Sequence, residues 1–474
     1  MKMLFLPGLL LALGLSGCAA GVDYHAPLST MPATYPSQAL LAGGPASSTA
    51  LRLDAWWNTF NDPELTRIIQ RVLAQNLDLA AALARVDQAR ALAAEASAQT
   101  LPSGALTADA ERQHQSLESP LGKMASALPG YKRDTTLREV DSGASWELDL
   151  FGGLKRKTEA ASAEAEAAEA DRLGVRITLV AEAADAYFRV RGAQNRIALT
   201  HQQIDTDTHA LALVRMRQDE GLATGRDVDL AEALLAQASA TLPPLEIERS
   251  VQMNRLDVLM GAQPGTWQAE LKTSLPRISV PDVSLSQGPA DLLRRRPDVI
   301  AAERRLAASS ANIGAASAAY YPRLTLSALL GVVSLGTASP FSAAAFQPQA
   351  ALGLSWRLFD FGRVDAEVAQ ARGANAEALA HYRQSMLRAT EDVENAVVTL
   401  VQLTARQKAL EQEVGAHLRA QAESRASYEG GATSLYEVLD EERQLLIARD
   451  QLAGIQADDA RAAVSLFRAL GGGW

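Results

Sequence analysis

The segment Trp146-Glu147-Leu148-Asp149-Leu150-Phe151-Gly152 returns 210 positions later as Trp356-Arg357-Leu358-Phe359-Asp360-Phe361-Gly362. An internal duplication constrains a chain more than any composition figure, because each structural role is then filled twice. Upstream, residues 77–91 parallel 297–311, and each stretch runs into a proline, Pro102 or Pro322. Downstream, Gly221-Leu222-Ala223-Thr224 parallels Gly430-Gly431-Ala432-Thr433. The expected order in each half is helix, strand, loop, strand, very long helix, glycine turn and second helix.

The long helices carry the strongest periodicity. Tyr382, Met386, Ala389, Val393, Ala396, Leu400, Leu403, Gln407, Leu410 and Val414 alternate steps of four and three, a heptad seam with one polar member. Leu179, Ala183, Ala186, Val190, Ala193 and Ile197 keep the same register in the first half. A second seam there runs Leu173, Ile177, Val180, Ala184 and Tyr187. Neighbouring members of the two seams, such as Ile177 and Leu179, stand about 200° apart around the axis. A helix with seams on opposite sides has a neighbour on each side, as a stave in a cylinder does; a long antiparallel bundle is the alternative. Leu154 to Glu220 and Arg363 to Glu429 each give roughly 100 Å of helix at 1.5 Å per residue. The return helices are expected to be shorter or interrupted, with Pro243-Pro244 breaking the first.

Four segments near 103–112, 143–151, 322–332 and 350–359 alternate apolar with polar residues. Ala144, Trp146, Leu148 and Leu150 oppose Ser145, Glu147 and Asp149, and the other three repeat the pattern. That suits transmembrane β-strands, although a soluble sandwich reads similarly. Four strands cannot close a barrel, since the smallest has about eight, so copies must combine.

The single cysteine, Cys18, excludes an intramolecular disulfide. Before it stand the short positive Met1-Lys2 and an apolar run from Leu4 to Leu15, too short for a mature membrane helix and suited to a signal peptide. Leu15-Ser16-Gly17-Cys18 resembles the lipobox of bacterial lipoproteins. That resemblance implies cleavage before Cys18 and acylation of it. By the same resemblance, Ala19 rather than Asp in the next position implies export to the outer membrane. Several acyl chains would make a stable anchor. No mature segment reaches the length of a membrane-spanning helix. The expected divisions are a signal peptide (1–17), a lipid-anchored extension (18–55), a first repeat (56–265), a linker (266–288), a second repeat (289–470) and a tail (471–474).

Taken together, the chain resembles the outer-membrane efflux protein family typified by TolC, and within it the lipoprotein branch related to NodT and OprM. The match covers nearly the whole mature chain. Val22-Asp23-Tyr24-His25-Ala26-Pro27 is similar to that branch's post-lipidation stretch. Trp56-Trp57-Asn58-Thr59-Phe60-Asn61-Asp62-Pro63-Glu64-Leu65 resembles its "WW..F.DP.L" signature, and Asp291 to Val299 its "LL.RRPDV" signature. The resemblance implies a mainly α fold with a transmembrane β-barrel part. In it a homotrimer shares twelve strands, and antiparallel hairpins form a periplasmic α-barrel. It also implies a resistance-nodulation-division pump in the inner membrane as partner, reached through a periplasmic adaptor. An exit duct for type I protein secretion, or a periplasmic adaptor lipoprotein, is the alternative.

The resemblance further implies roles for residues at the glycine turns. Gly221, Leu222 and Ala223, with Gly431, Ala432 and Thr433, become adaptor-docking tips. Glu437 and Asp440, three apart and so on one helix face, become a carboxylate ring at the narrowest aperture. Asp227 and Tyr428 match positions of closing contacts between hairpins. The family's TolC branch has an Arg where Thr433 stands, so a charged latch is not expected here. The plainer reading makes these residues simple turns and a solvated helix face.

The Arg294-Arg295-Arg296 run reads as structural, pairing with acidic partners where Pro297-Asp298 starts a helix. The six histidines show no metal-ligand spacing, and no nucleophile, phosphate-loop or dinucleotide motif sits on a fitting element. Neither a cofactor nor an enzyme activity is expected. Net charge is −10 with no basic patch, which sets nucleic acid aside.

Overall fold

The structure is a computed structural model. It describes residues 20–27, 34–37, 40, 53–272, 280–281, 295–336, 338–339 and 341–474. Cys18 and Arg294 lie outside them. The principal elements are α1 (Pro63–Gln75), α2 (Leu77–Ala98), β1 (Ser103–His114), α3 (Pro120–Ser126), β2 (Asp134–Leu148), α4 (Gly153–Asp219), α5 (Gly225–Leu259), α6 (Pro297–Ser317), β3 (Arg323–Leu335), β4 (Phe346–Ser355), α7 (Arg363–Glu429) and α8 (Leu435–Ala469). The long helices α4 and α7 have 67 residues each, and the return helices α5 and α8 have 35 each. Two compact units divide the chain, each drawing on both halves: Met1–Pro27, Asp87–Ala168 and Ala302–His381 form one, and the rest the other.

The first unit holds a four-stranded antiparallel sheet in the order β1-β2-β3-β4. The pairing of β2 with β3 joins the two halves: Trp146 stands opposite Leu326, Leu148 opposite Leu324 and Val140 opposite Val332. Leu324 and Leu326 in turn face Leu354 and Leu352 of β4. These cross-strand partners share one face, so the apolar alternation of four strands merges into one surface. Leu106, Leu330, Leu352 and Leu354 on that face are all more than half exposed. The other face carries Asp109, Glu111, Glu139, Glu147, Thr325 and Ser327. The two tryptophans of the repeat make the same bond. The indole N–H of Trp146 donates to the Thr100 carbonyl (2.9 Å), and that of Trp356 to the Tyr320 carbonyl (3.0 Å), each just before a strand.

Strand limits depart from the alternation. β2 starts at Asp134, well before residue 143, and stops at Leu148, so Leu150 is outside it; β4 ends at Ser355 and leaves Trp356 to Phe359 beyond it. The charges at Arg138, Glu139 and Asp141 interrupt the pattern in β2, but the ladder to β1 and β3 runs through them. Ladder partners set the ends of a strand, and these are invisible to a single-strand pattern.

In the second unit α4 pairs with both α5 and α8. Arg255 of α5 pairs with Glu182 at 2.6 Å, and Arg196 of α4 grips Asp450 of α8 with two bonds of 2.7 and 2.8 Å. Every member of the seam from Leu179 to Ile197 is buried, as are Ile177, Val180, Ala184 and Tyr187 of the opposite seam. Along α7 the seam is buried from Tyr382 to Leu400 and at Leu410, with Leu403, Gln407 and Val414 half-buried. Small residues let the staves close up. A Cβ on Gly192 would stand 2.7 Å from the Ala457 Cβ.

Pro243-Pro244 does not break the first return helix: α5 runs through both prolines. Proline's fixed φ is itself helical, and what it removes is a hydrogen bond to the preceding turn. The buried stripe Ala231, Ala238, Leu245, Met253 and Leu256 holds the helix down on both sides of the pair.

The signature stretch starting at Trp56 locks the same unit. Trp56 stacks on Phe467 of α8 with ring centroids 5.1 Å apart, and Phe60 meets Phe188 of α4 at 5.0 Å. Asp62 caps α1 by accepting from the Glu64 and Leu65 amides and also accepts the Tyr187 hydroxyl at 2.6 Å. Burial and the bond to Asp62 push the Tyr187 hydroxyl far above its ordinary pKa. The pairing expected of the arginine run holds at Arg296, which binds Asp298 (2.7 Å), Asp392 (2.8 Å) and the Ala469 carbonyl.

Candidate aperture and docking turns

Both hairpin turns use one backbone device. At the end of α4, the Gly221 amide bonds to the Gln218 carbonyl (2.9 Å) and the Leu222 amide to the Arg217 carbonyl (2.7 Å). At the end of α7, Gly431 bonds to Tyr428 (2.9 Å) and Ala432 to Ser427 (2.8 Å). These are paired Schellman closures, and Gly221 and Gly431 share a φ of +73°, where a side chain is costly. Gly221 therefore answers to Gly431, not to Gly430 as the sequence parallel had it. Leu222 is 69% exposed and Ala432 is exposed, while Ala223 and Thr433 are half-buried. Ala223 packs on a small core of Leu211, Val214 and Ala231, which Leu435 of the other hairpin also covers. The Thr433 hydroxyl is buried without a hydrogen-bond partner among the described residues.

The shifted correspondence makes Thr224 the counterpart of Ser434 and Asp227 that of Glu437. Thr224 and Asp227 form a closed capping box: the Asp227 carboxylate accepts from the Thr224 amide (2.8 Å) and hydroxyl (2.7 Å), and Thr224 accepts the Asp227 amide. The bonds from Thr224 hold the Asp227 carboxyl below its usual pKa. Ser434 caps α8 without any side-chain bond, and Glu437 is exposed. Asp440 is half-buried and paired with Arg443 at 2.7 Å. Tyr428 lies under the Arg217 guanidinium, 5.3 Å from its ring centroid, which ties the first turn to the second. His417 and Glu441 bridge α7 and α8 at 2.5 Å. Within the chain, the Asp227 carboxylate bonds in its own turn and Tyr428 touches Arg217 of the other hairpin. Sequence reasoning missed Arg217 and Arg443. The i,i+3 spacing of Asp440 and Arg443 was a usable signal, whereas nothing local links Arg217 to Tyr428.

The outer membrane efflux protein family model matches residues 68–262 and 288–472. The chain belongs to this family. It is 32% identical to the pyoverdine export outer membrane protein OpmQ of Pseudomonas aeruginosa, over 100% of this chain and 97% of that protein. It is 30% identical to nodulation protein T of Rhizobium leguminosarum bv. trifolii, over 97% of this chain and 95% of that one. Among solved structures, the outer-membrane channel OprN superposes with a TM-score of 0.84 at 33% identity, over 96% of this chain and all of OprN. The open-state MtrE channel of Neisseria gonorrhoeae gives 0.83 at 26% identity over 96% of this chain.

This efflux protein therefore has the TolC-like channel fold and its place is the outer membrane. Among the described residues no helix is long and apolar enough to cross a membrane, and no group of acidic, histidine and cysteine side chains is set to hold a metal ion. The chain just after Cys18 is firmly seated in the first unit. Arg156 bonds to the Ala20 carbonyl (3.2 Å) and to Asp23 (2.8 Å), and the Tyr24 hydroxyl donates to Glu303 at 2.7 Å.

Proposed function

We propose that three copies of this chain form an exit duct for a tripartite efflux system, carrying cargo from an inner-membrane pump of the resistance-nodulation-division type across the periplasm and the outer membrane. One observation carries the reading: an open four-stranded sheet with an apolar face left exposed and two edges, β1 and β4, unpaired among the described residues. Free edges and an apolar sheet face are both unstable in water. Three sheets edge to edge make a closed cylinder of twelve strands with lipid outside. The helical hairpins then form the wall of a periplasmic tunnel. Acylated Cys18 anchors the chain in the outer-membrane lipid, and the seat of Ala20 to Tyr24 on Arg156 and Glu303 supports a fixed place for that anchor.

The exposed turns at Gly221-Leu222-Ala223 and Gly431-Ala432-Thr433 take up the adaptor. Glu437 and Asp440 line the aperture, with Arg443 balancing Asp440. Closure relies on packing around Leu211, Val214 and Leu435 and on the contact of Arg217 with Tyr428. The efflux relatives are named for cargoes as different as pyoverdine and toluene, which argues that cargo is chosen upstream by the pump. The duct itself performs no chemistry.

Edge cross-linking tests the assembly. β1 and β4 are three strand spacings apart, about 14 Å, too far for a disulfide within one chain. Cysteines placed along both edges should link copies into a species of three chains and no more. A population of linked dimers or unlinked monomers in the outer membrane would overturn the proposal.

A further inference from the structure

We infer that the groove between α4, α5 and α8 is a binding site for a small lipophilic ammonium ion, with Asp207 as its counter-charge. The groove encloses about 240 Å³. Leu199, Leu234, Leu446 and Ile447 supply apolar walls, one or more from each of the three helices. Asp207 lines it and is only 5% exposed. One carboxylate oxygen accepts the Gln203 amide at 2.6 Å, and the other is buried with no hydrogen-bond partner among the described residues. A buried carboxylate oxygen without a donor is a costly arrangement that a native fold keeps only for a reason.

The other charges in the lining are already matched. Arg443 is paired with Asp440, and Asp450 with Arg196. No cation among the described residues reaches Asp207, and its charge adds to burial in raising the neighbouring Glu442, on which Arg425 pulls the other way. Burial raises both carboxyls, the cost a bound cation would offset. The chemistry of the walls selects the occupant. A divalent metal needs about six oxygen ligands, and a single carboxylate does not provide them. A primary ammonium on a compact hydrocarbon needs one charged acceptor and apolar contact, and the groove provides both.

The inference goes beyond the duct proposal and does not depend on it, because binding is read directly on the purified full-length protein. The probe is cyclohexylmethylammonium, titrated by calorimetry at about pH 8, where ordinary carboxyls are ionised. Its neutral counterpart, cyclohexylmethanol, serves as comparison. The ammonium should bind at least about tenfold more tightly than the alcohol, the usual worth of a charge-assisted hydrogen bond. Asp207→Asn should lose that margin while keeping the assembly state of the parent. Gln237→Trp, on the exposed rim of the groove, should block both compounds with Asp207 intact. Equal binding of alcohol and ammonium, unchanged binding in Gln237→Trp, or no binding to the parent protein would each overturn the inference. If Asp207→Asn fails to assemble, the alcohol comparison and Gln237→Trp decide it.

Discussion

Arg191→Leu should destabilise the protein strongly at alkaline pH and much less in acid. Arg191 of α4 meets Glu64 of α1 at 2.6 Å, and their side chains are 5% and 11% exposed. The second Glu64 oxygen is buried with no partner among the described residues. Burial raises the Glu64 carboxyl above its ordinary pKa and outweighs the opposite pull of Arg191 and Arg67. A group whose pKa is raised by folding stabilises the native state below its unfolded pKa, and that contribution fades as pH climbs through the folded value. Removing Arg191 deletes one of the lowering influences, so the folded pKa moves up further and the loss extends toward neutral pH. Breaking a buried pair by removing one partner typically costs about 3 kcal/mol or more. Arg191 also bonds Gln194 and the Tyr187 hydroxyl, so part of the loss is independent of pH. The assay is guanidinium unfolding in detergent, followed by circular dichroism at about pH 4.5 and pH 8, on either side of an ionising buried carboxyl. The deficit should be clearly larger at the higher pH, and Glu64→Gln added to Arg191→Leu should remove most of the difference. An equal deficit at both pH values, or no rescue by the second change, would refute the account of Glu64 as a buried charge held by Arg191.

Four further outcomes follow from the same structure. Arg443→Gln leaves Asp440 unbalanced, so planar-bilayer recordings should show a reversal potential shifted toward cations, and Asp440→Asn in the same chain should cancel the shift. Leu330→Arg puts a charge on the exposed apolar face of β3, at a cost of about 2–4 kcal/mol near the bilayer midplane, and should lower the amount assembled in outer-membrane fractions. Gly431→Ala and Gly221→Ala force a side chain into the left-handed region at about 1 kcal/mol each, and should lower the thermal midpoint by similar amounts if the two turns are equivalent. Gly192→Val must push Ala457 away, because even a Cβ would approach it to 2.7 Å, and should cost about 1–3 kcal/mol in the same thermal assay.

Periodicity made the helices and their two seams legible, because burial on a stave repeats with the heptad over many turns. The strands were legible in number and facing, since Trp146, Leu148, Leu324 and Leu326 alternate strictly. Their ends were not, because Asp134 to Val140 joins the sheet through its partners rather than through its own pattern. Pro243-Pro244 misled for a related reason: local chemistry argues for a break, but burial of Ala238 and Leu245 on either side outweighs it. At the turns, the glycines were visible but their pairing was one residue out, since Gly430 and Gly431 are adjacent and only φ tells which reverses the chain. The contact of Arg217 with Tyr428 and the orphaned carboxylate of Asp207 depend on side chains brought together from separate helices, and no spacing in the chain announces either.

The two turns share a backbone and differ in what they leave free. In the first, the Asp227 carboxylate closes on Thr224 and is held ionised by those bonds; in the second, Glu437 occupies the same place after Ser434 but stays exposed. Glu has one more methylene than Asp, yet glutamate is the commoner partner in such boxes, so side-chain length does not forbid closure. The duplication has therefore diverged in function more than in form: one half retains the carboxylate as a structural cap, and the other releases it to solvent beside the Asp440–Arg443 pair. On the proposed placement of Glu437 and Asp440 at the aperture, three copies would bring one uncompensated acidic group per chain there. Closing the second box should then remove that group. Ser434→Thr with Glu437→Asp reproduces the first turn, and it should stiffen the start of α8 while reducing cation preference in bilayer recordings. Cation preference unchanged by that exchange, in a protein that still conducts, would mean that Glu437 does not face the pore.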